Sequence, residues 1–80
     1  MKTRDCIVNR IYQLIDEKNY TINGLARHAG LPPTTLKNIL NGQSRNPGVI
    51  TIKIICDGLD ISLTDFFDTD DFRNLEQEIE

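Results

Sequence analysis

Apolar residues recur at helical intervals along most of this chain. Ile7, Ile11 and Leu14 fall on one face, with Val8 and Ile15 beside them, which predicts a helix over about residues 4–18. Thr3 is placed to cap it and Asp5 lies in its first turn. Asn19 can adopt the left-handed conformation that ends it. Thr21 is a second N-cap, predicting a helix that starts after it and ends at Gly30. Gly24 is a weak point inside that helix, costing roughly 1 kcal/mol against Ala. A third helix is expected from Pro33 to Leu40, stopped by Gly42, with residues 43–46 as a polar loop.

Asn46-Pro47 reads as an N-cap followed by proline at the first helical position. A fourth helix then covers about residues 47–58. Its β-branched run VITIKII suits a strand when taken alone. The Asn-Pro start, the Gly58 stop and the surrounding helices decide for helix. Ser62 with Asp65 three residues on matches the capping pattern of a fifth helix, carrying Leu63, Phe66 and Phe67. Beyond Asp68, residues Phe72, Leu75 and Ile79 share one helical stripe. They predict an amphipathic C-terminal helix packed on the domain or on a second subunit, with a frayed tail as the alternative.

Eighty residues make one small all-α domain, without room for a second core. The folded unit is expected over residues 1–68, followed by an acidic tail or helix over 69–80. The opening MKTRD carries no visible signal peptide. No apolar run approaches the length of a membrane span, so a cytoplasmic protein is expected. Cys6 and Cys56 sit among aliphatic residues and read as small buried apolar groups in a reducing compartment. A disulfide or redox switch is the alternative.

The formal net charge is −3, which by itself argues against nucleic acid as a partner. Its distribution changes that picture. Residues 1–47 hold seven basic and three acidic groups, whereas residues 48–80 hold two basic and nine acidic ones. A basic N-terminal half beside an acidic C-terminal half suits a one-faced nucleic-acid binder.

The run TINGLARHAGLPPTTLKNILNG, Thr21 to Gly42, sharpens this reading. It reads as two short helices joined by a glycine-cornered turn. Leu25, Ala26, Gly30, Leu31, Leu36 and Ile39 have the spacing that closes a helix-turn-helix. From about Ile7 to Phe67 the chain resembles the phage-repressor (Cro-like, XRE) helix-turn-helix family. The pieces Leu14…Glu17-Lys18, Thr21…Leu25-Ala26…Gly30-Leu31, Leu36…Ile39…Asn41-Gly42, Asn46-Pro47, Ile52…Ile55-Cys56…Leu59 and Ile61-Ser62-Leu63…Phe66 come in the family's order. The resemblance implies a compact five-helix bundle of the lambda-repressor-like type, in which helices 2 and 3 form a DNA-reading head. It also marks departures. Ile15 and Leu40 stand where many members carry an Arg–Glu ion pair, implying an apolar substitute that is often neutral or stabilising. Ile22 replaces a phosphate-binding Gln, and Pro32 replaces a Ser or Thr cap.

On such a head the groove-facing side of the third helix is Pro33, Thr34, Lys37 and Asn38. Lys37 is suited to guanine O6 or N7, Asn38 to adenine N6 and N7, and Thr34 to a base edge or a thymine methyl. Pro33 offers apolar contact only. Phosphate candidates are Thr21 and Ile22, whose backbone N–H groups open the second helix, together with Thr35, Asn41, Ser44, Arg45 and Asn46. Arg27 and the lone His28 lie on the polar side of the second helix, where His28 reads as a solvated residue.

No catalytic constellation, cofactor motif, small-molecule site or metal-ligand cluster is legible. Asp65, Asp68, Asp70 and Asp71 lack the spacing and central glycine of an EF-hand loop and read as a solvated acidic face. The expected function is a sequence-specific transcription regulator, a repressor acting on double-stranded DNA as a homodimer. Phe66, Phe67, Phe72, Leu75 and Ile79 are the candidate dimer surface. The alternative is a protein-interaction module, such as a small antitoxin or anti-repressor-like partner, with DNA binding secondary.

Overall fold

Helix α1 (Thr3–Glu17) carries its apolar stripe as Cys6, Ile7, Ile11, Leu14 and Ile15, all buried. The computed structural model describes residues 1–79 and is all-helical over them. Five further helices follow in order: α2 (Ile22–Ala29), α3 (Pro33–Leu40), α4 (Val49–Leu59), α5 (Leu63–Phe67) and the single turn α6 (Asp70–Arg73). One core joins them through Ile11, Leu25, Leu36, Ile39, Ile55, Leu59 and Phe66, each almost fully buried. Ile15 is buried and Leu40 packs on the same core, so the two positions that depart from the family's ion pair both serve apolar packing.

Three helices end by the same device. A residue in the left-handed region follows the last turn, and the next N–H reaches back to the carbonyl five residues earlier. Tyr20 N–H donates to Ile15 O at 3.0 Å after Asn19 (φ 58°). Leu31 N–H donates to Ala26 O at 2.8 Å after Gly30 (φ 74°), and Ile61 N–H to Cys56 O at 3.0 Å after Asp60 (φ 58°). The third case corrects the expected stop at Gly58. Helix α4 continues through Leu59, and Gly58 serves packing instead: a Cβ there would lie 2.7 Å from the Ala29 Cβ and 3.2 Å from its Cα. That close approach seats α4 against α2.

The start of α4 also differs. Helical bonding begins with Ile52 N–H to Gly48 O, and Gly48, not Asn46, is the N-cap. Pro47 stays in the loop, half-buried, where with Ile7, Arg4 and Arg45 it lines a cavity beside α1. Cys6 and Cys56 are both buried free thiols, as expected.

Both ends of the chain depart from expectation. Thr3 does not cap α1; the N-cap is Lys2, without a side-chain bond. The reason lies at the other terminus. The Glu78 carboxylate accepts from Thr3 N–H (3.2 Å) and from the Thr3 hydroxyl (2.9 Å), taking the place of a local cap. The stripe Phe72, Leu75, Ile79 does not form one helix. Helix α6 stops at Arg73, and Ile79 is 82% exposed. Phe72 instead packs edge-on against Phe67, with ring centroids 4.9 Å apart, and near Phe66. The aromatic part of the expected dimer surface is therefore largely consumed within the domain, and Phe66 is fully buried.

Candidate nucleic-acid interface

Helix α2 begins where its sequence says. The Thr21 hydroxyl accepts from Gly24 N–H at 2.9 Å, and Ile22 opens the helix half-buried against the core. The Gly24 site is tight, because a Cβ there would lie 2.9 Å from that hydroxyl oxygen. Leu25 and Ala26 turn inward, leaving Arg27 and His28 exposed. The His28 ring lies 5.8 Å from that of Tyr20.

Leu31 and Pro32 complete the corner, and α3 starts with Pro33 at its first turn and no side-chain cap at Pro32. Leu36 and Ile39 anchor α3 to the core. The opposite side therefore faces solvent: Thr34 and Lys37 are exposed, and Pro33, Thr35 and Asn38 are half-exposed. The sequence-selected residues thus share one accessible edge. Two prolines at this tip remove two N–H donors, so Thr34 supplies the first backbone donor there.

The loop after α3 is closed by its own bonds. Asn41 Oδ1 accepts from Gln43 N–H at 3.0 Å, and Ser44 N–H donates to Asn38 O at 2.9 Å. Asn41 and Ser44 are thus tied into the turn, with the Asn41 amide nitrogen left free to donate. Arg45 and Asn46 are exposed. Among the described residues neither Lys37 nor Arg45 forms an ion pair; the pairs lie at Lys53–Asp57, at Arg73 with Asp68 and Asp70, and near the termini. No Asp or Glu occurs from Lys18 to Cys56. The segment holding α2, α3 and their flanking loops is thereby free of its own negative charge.

Sequence reasoning counted two further basic side chains in the basic half without giving either a role. Arg4 lines a common cavity of about 400 Å³ with Arg45 and Asn46. The charged opening MKTRD carried a signal of it, but no spacing rule joins residue 4 to residue 45. Arg10, counted in the basic half, is spent structurally. Its Nε donates to Phe66 O at 2.8 Å and its Nη2 to Asp65 O at 2.9 Å. Burial raises both thiol pKa values above the ordinary cysteine value, so neither is a thiolate at neutral pH. Among the described residues no group of His, Cys, Asp or Glu is placed to hold a metal ion, and no helix is long and apolar enough to cross a membrane.

Two short helices meeting at a left-handed glycine, within a bundle of four others, with the second presenting an uncovered polar edge, define a helix-turn-helix domain. The chain belongs to the HTH_3 helix-turn-helix family, whose profile matches residues 11–66. Its fold is similar to that of prophage Lp1 protein 11, with a TM-score of 0.80 at 36% identity over 94% of this chain and 100% of that one. It is also similar to an HTH_3 family transcriptional regulator from Vibrio cholerae, with a TM-score of 0.76 at 26% identity. That match covers 88% of this chain and 38% of the Vibrio cholerae protein. No match was found among curated proteins.

Proposed function

We propose that this domain is a sequence-specific DNA-binding transcription regulator, acting as a repressor and binding as a symmetric homodimer. The observation that carries the reading is the accessible edge of α3 within a stretch, Lys18 to Cys56, that has no acidic residue. Pro33, Thr34, Lys37 and Asn38 read bases. Thr21, Ile22, Thr35, Asn41, Ser44, Arg45 and Asn46 hold the two flanking backbones through hydroxyl, amide, guanidinium and main-chain donors. One such head spans few base pairs, so selectivity calls for two copies on a two-fold site about one helical turn apart.

Selection of bound duplexes from a random pool tests this directly. A palindromic consensus supports a dimeric reader. Titration of a mixed-sequence duplex at two salt concentrations tests the electrostatic part, where the log–log slope is about −0.9 per phosphate neutralised. Absence of binding at low salt overturns the regulator and leaves a protein-interaction module as the reading.

A further inference from the structure

We propose that the C-terminal segment is an autoinhibitory strap: Glu78 is held by Thr3 at the front of α1 and places its negative charge on the cavity lined by Arg4 and Arg45, where it competes with a DNA phosphate. The inference rests on the DNA-binding reading. Its geometry comes from opposite ends of the chain.

The first N–H groups of a helix have no partner within it and attract anions. Here the Thr3 N–H and hydroxyl are taken by the Glu78 carboxylate, at 3.2 and 2.9 Å. Glu78 also borders two adjoining cavities, one shared with Arg4, Arg45 and Asn46, the other with Lys2, Arg4 and Arg45. The carboxylate, bonded to Thr3, thereby stands on the cavity that Arg4 shares with Arg45 and Asn46, the two loop residues proposed to hold a backbone phosphate. These donors also hold the Glu78 carboxyl below the ordinary glutamate range, the Thr3 N–H first and its hydroxyl second. The strap is therefore charged at neutral pH.

The attachment is built for release. Beyond Leu75 the segment is fixed by exposed polar contacts: the Met1 amino nitrogen to Glu76 (2.6 Å), Lys2 Nζ to Gln77 O (2.6 Å) and Glu76 N–H to Met1 O (3.2 Å). Ile79 points into solvent. Exposed pairs of this kind are weak and screened by salt. A duplex phosphate, which likewise carries one negative charge on two acceptor oxygens, is a suitable replacement.

The test compares full-length wild type with E78Q, E76Q/E78Q and D16N in titrations of mixed-sequence duplex at low salt. Asp16 is an exposed carboxylate at the far end of α1, so D16N reports the general effect of losing one negative charge. A strap that is docked for most of the time lowers apparent affinity by the inverse of the open fraction, so E78Q should bind roughly three- to tenfold tighter than wild type. D16N should gain less than about twofold. In wild type, backbone amide resonances of residues 76–79 should shift and narrow on saturation with duplex. Equal gains for E78Q and D16N, or tail resonances unmoved by DNA, overturn the strap and leave the DNA-binding reading intact. Failure of all four proteins to bind overturns both.

Discussion

Gly58 and Ala29 meet so closely that no side chain fits between α4 and α2 at that point. A Cβ on residue 58 would sit 2.7 Å from the Ala29 Cβ and 3.2 Å from Leu25 Cδ1. Glycine within a helix costs about 1 kcal/mol relative to Ala, so the contact is kept against local preference. Gly58→Ala should therefore destabilise the domain, by a net ~1–2 kcal/mol after the helical gain, because overpacking in a buried contact outweighs propensity. Chemical denaturation monitored by circular dichroism measures it. An unchanged midpoint would mean that the two helices part freely.

Arg10 ties α1 to α5 through the Asp65 and Phe66 carbonyls and also bonds Gln13 Oε1. Arg10→Met should lose about 1–2 kcal/mol of stability, since it leaves carbonyls at a helix end without their charged donor. Arg10→Lys should recover little, because a point ammonium cannot span both oxygens as the fork does. The salt slope of DNA binding should be the same in both variants as in wild type. A reduced slope would place Arg10 among the phosphate contacts.

Lys37 and Asn38 make separable predictions. Lys37→Ala should weaken binding and relax preference at the base position that it reads, and the lost charge should flatten the salt slope. Asn38→Ala should relax preference at one base position by ~1–3 kcal/mol while leaving the slope in place. Selection with each variant distinguishes them, and an unchanged consensus from Asn38→Ala removes that residue from the reading set.

The tail should respond to acid in a definite direction. Glu76 and Glu78 are both held below their ordinary values, Glu76 chiefly by its bond to the Met1 amino group and Glu78 by Thr3. Their neighbours are Lys2, Arg4, Asp5 and Arg45. A depressed carboxyl contributes to the folded state above its unfolded pKa, and that contribution is lost as pH falls through the folded value. Docking should thus hold at neutral pH and fail below the ordinary glutamate range. The Thr3 amide resonance followed against pH reads the midpoint, and a midpoint at or above that range contradicts the assigned bonds.

Legibility followed the range of the interactions. Helix α3 was readable to the residue because Pro33 and the Asn41-Gly42 exit are local signals, and its inward pair Leu36 and Ile39 set which edge stays open. The Thr21 and Ser62 caps act within three residues and read equally well. Asn46-Pro47 misled because proline fits a loop as readily as a helical first turn, and only its place beside Ile7 and Arg4 decides between them. Gly58 carries the same letter whether it stops a helix or admits a neighbour, and Ala29 is far from it in sequence. The stripe Phe72, Leu75, Ile79 was periodic, yet Phe72 found Phe66 and Phe67 while Ile79 found nothing. No local rule joins Thr3 to Glu78 across 75 positions.

Asn19 and Asp60 close α1 and α4 in backbone conformations that glycine adopts more comfortably. The molecule consequently holds unused thermal reserve at these two left-handed corners. Replacing either with glycine should raise the melting temperature, each contributing about 0.5–1 kcal/mol. An engineer could toughen this scaffold there without altering which duplex it selects.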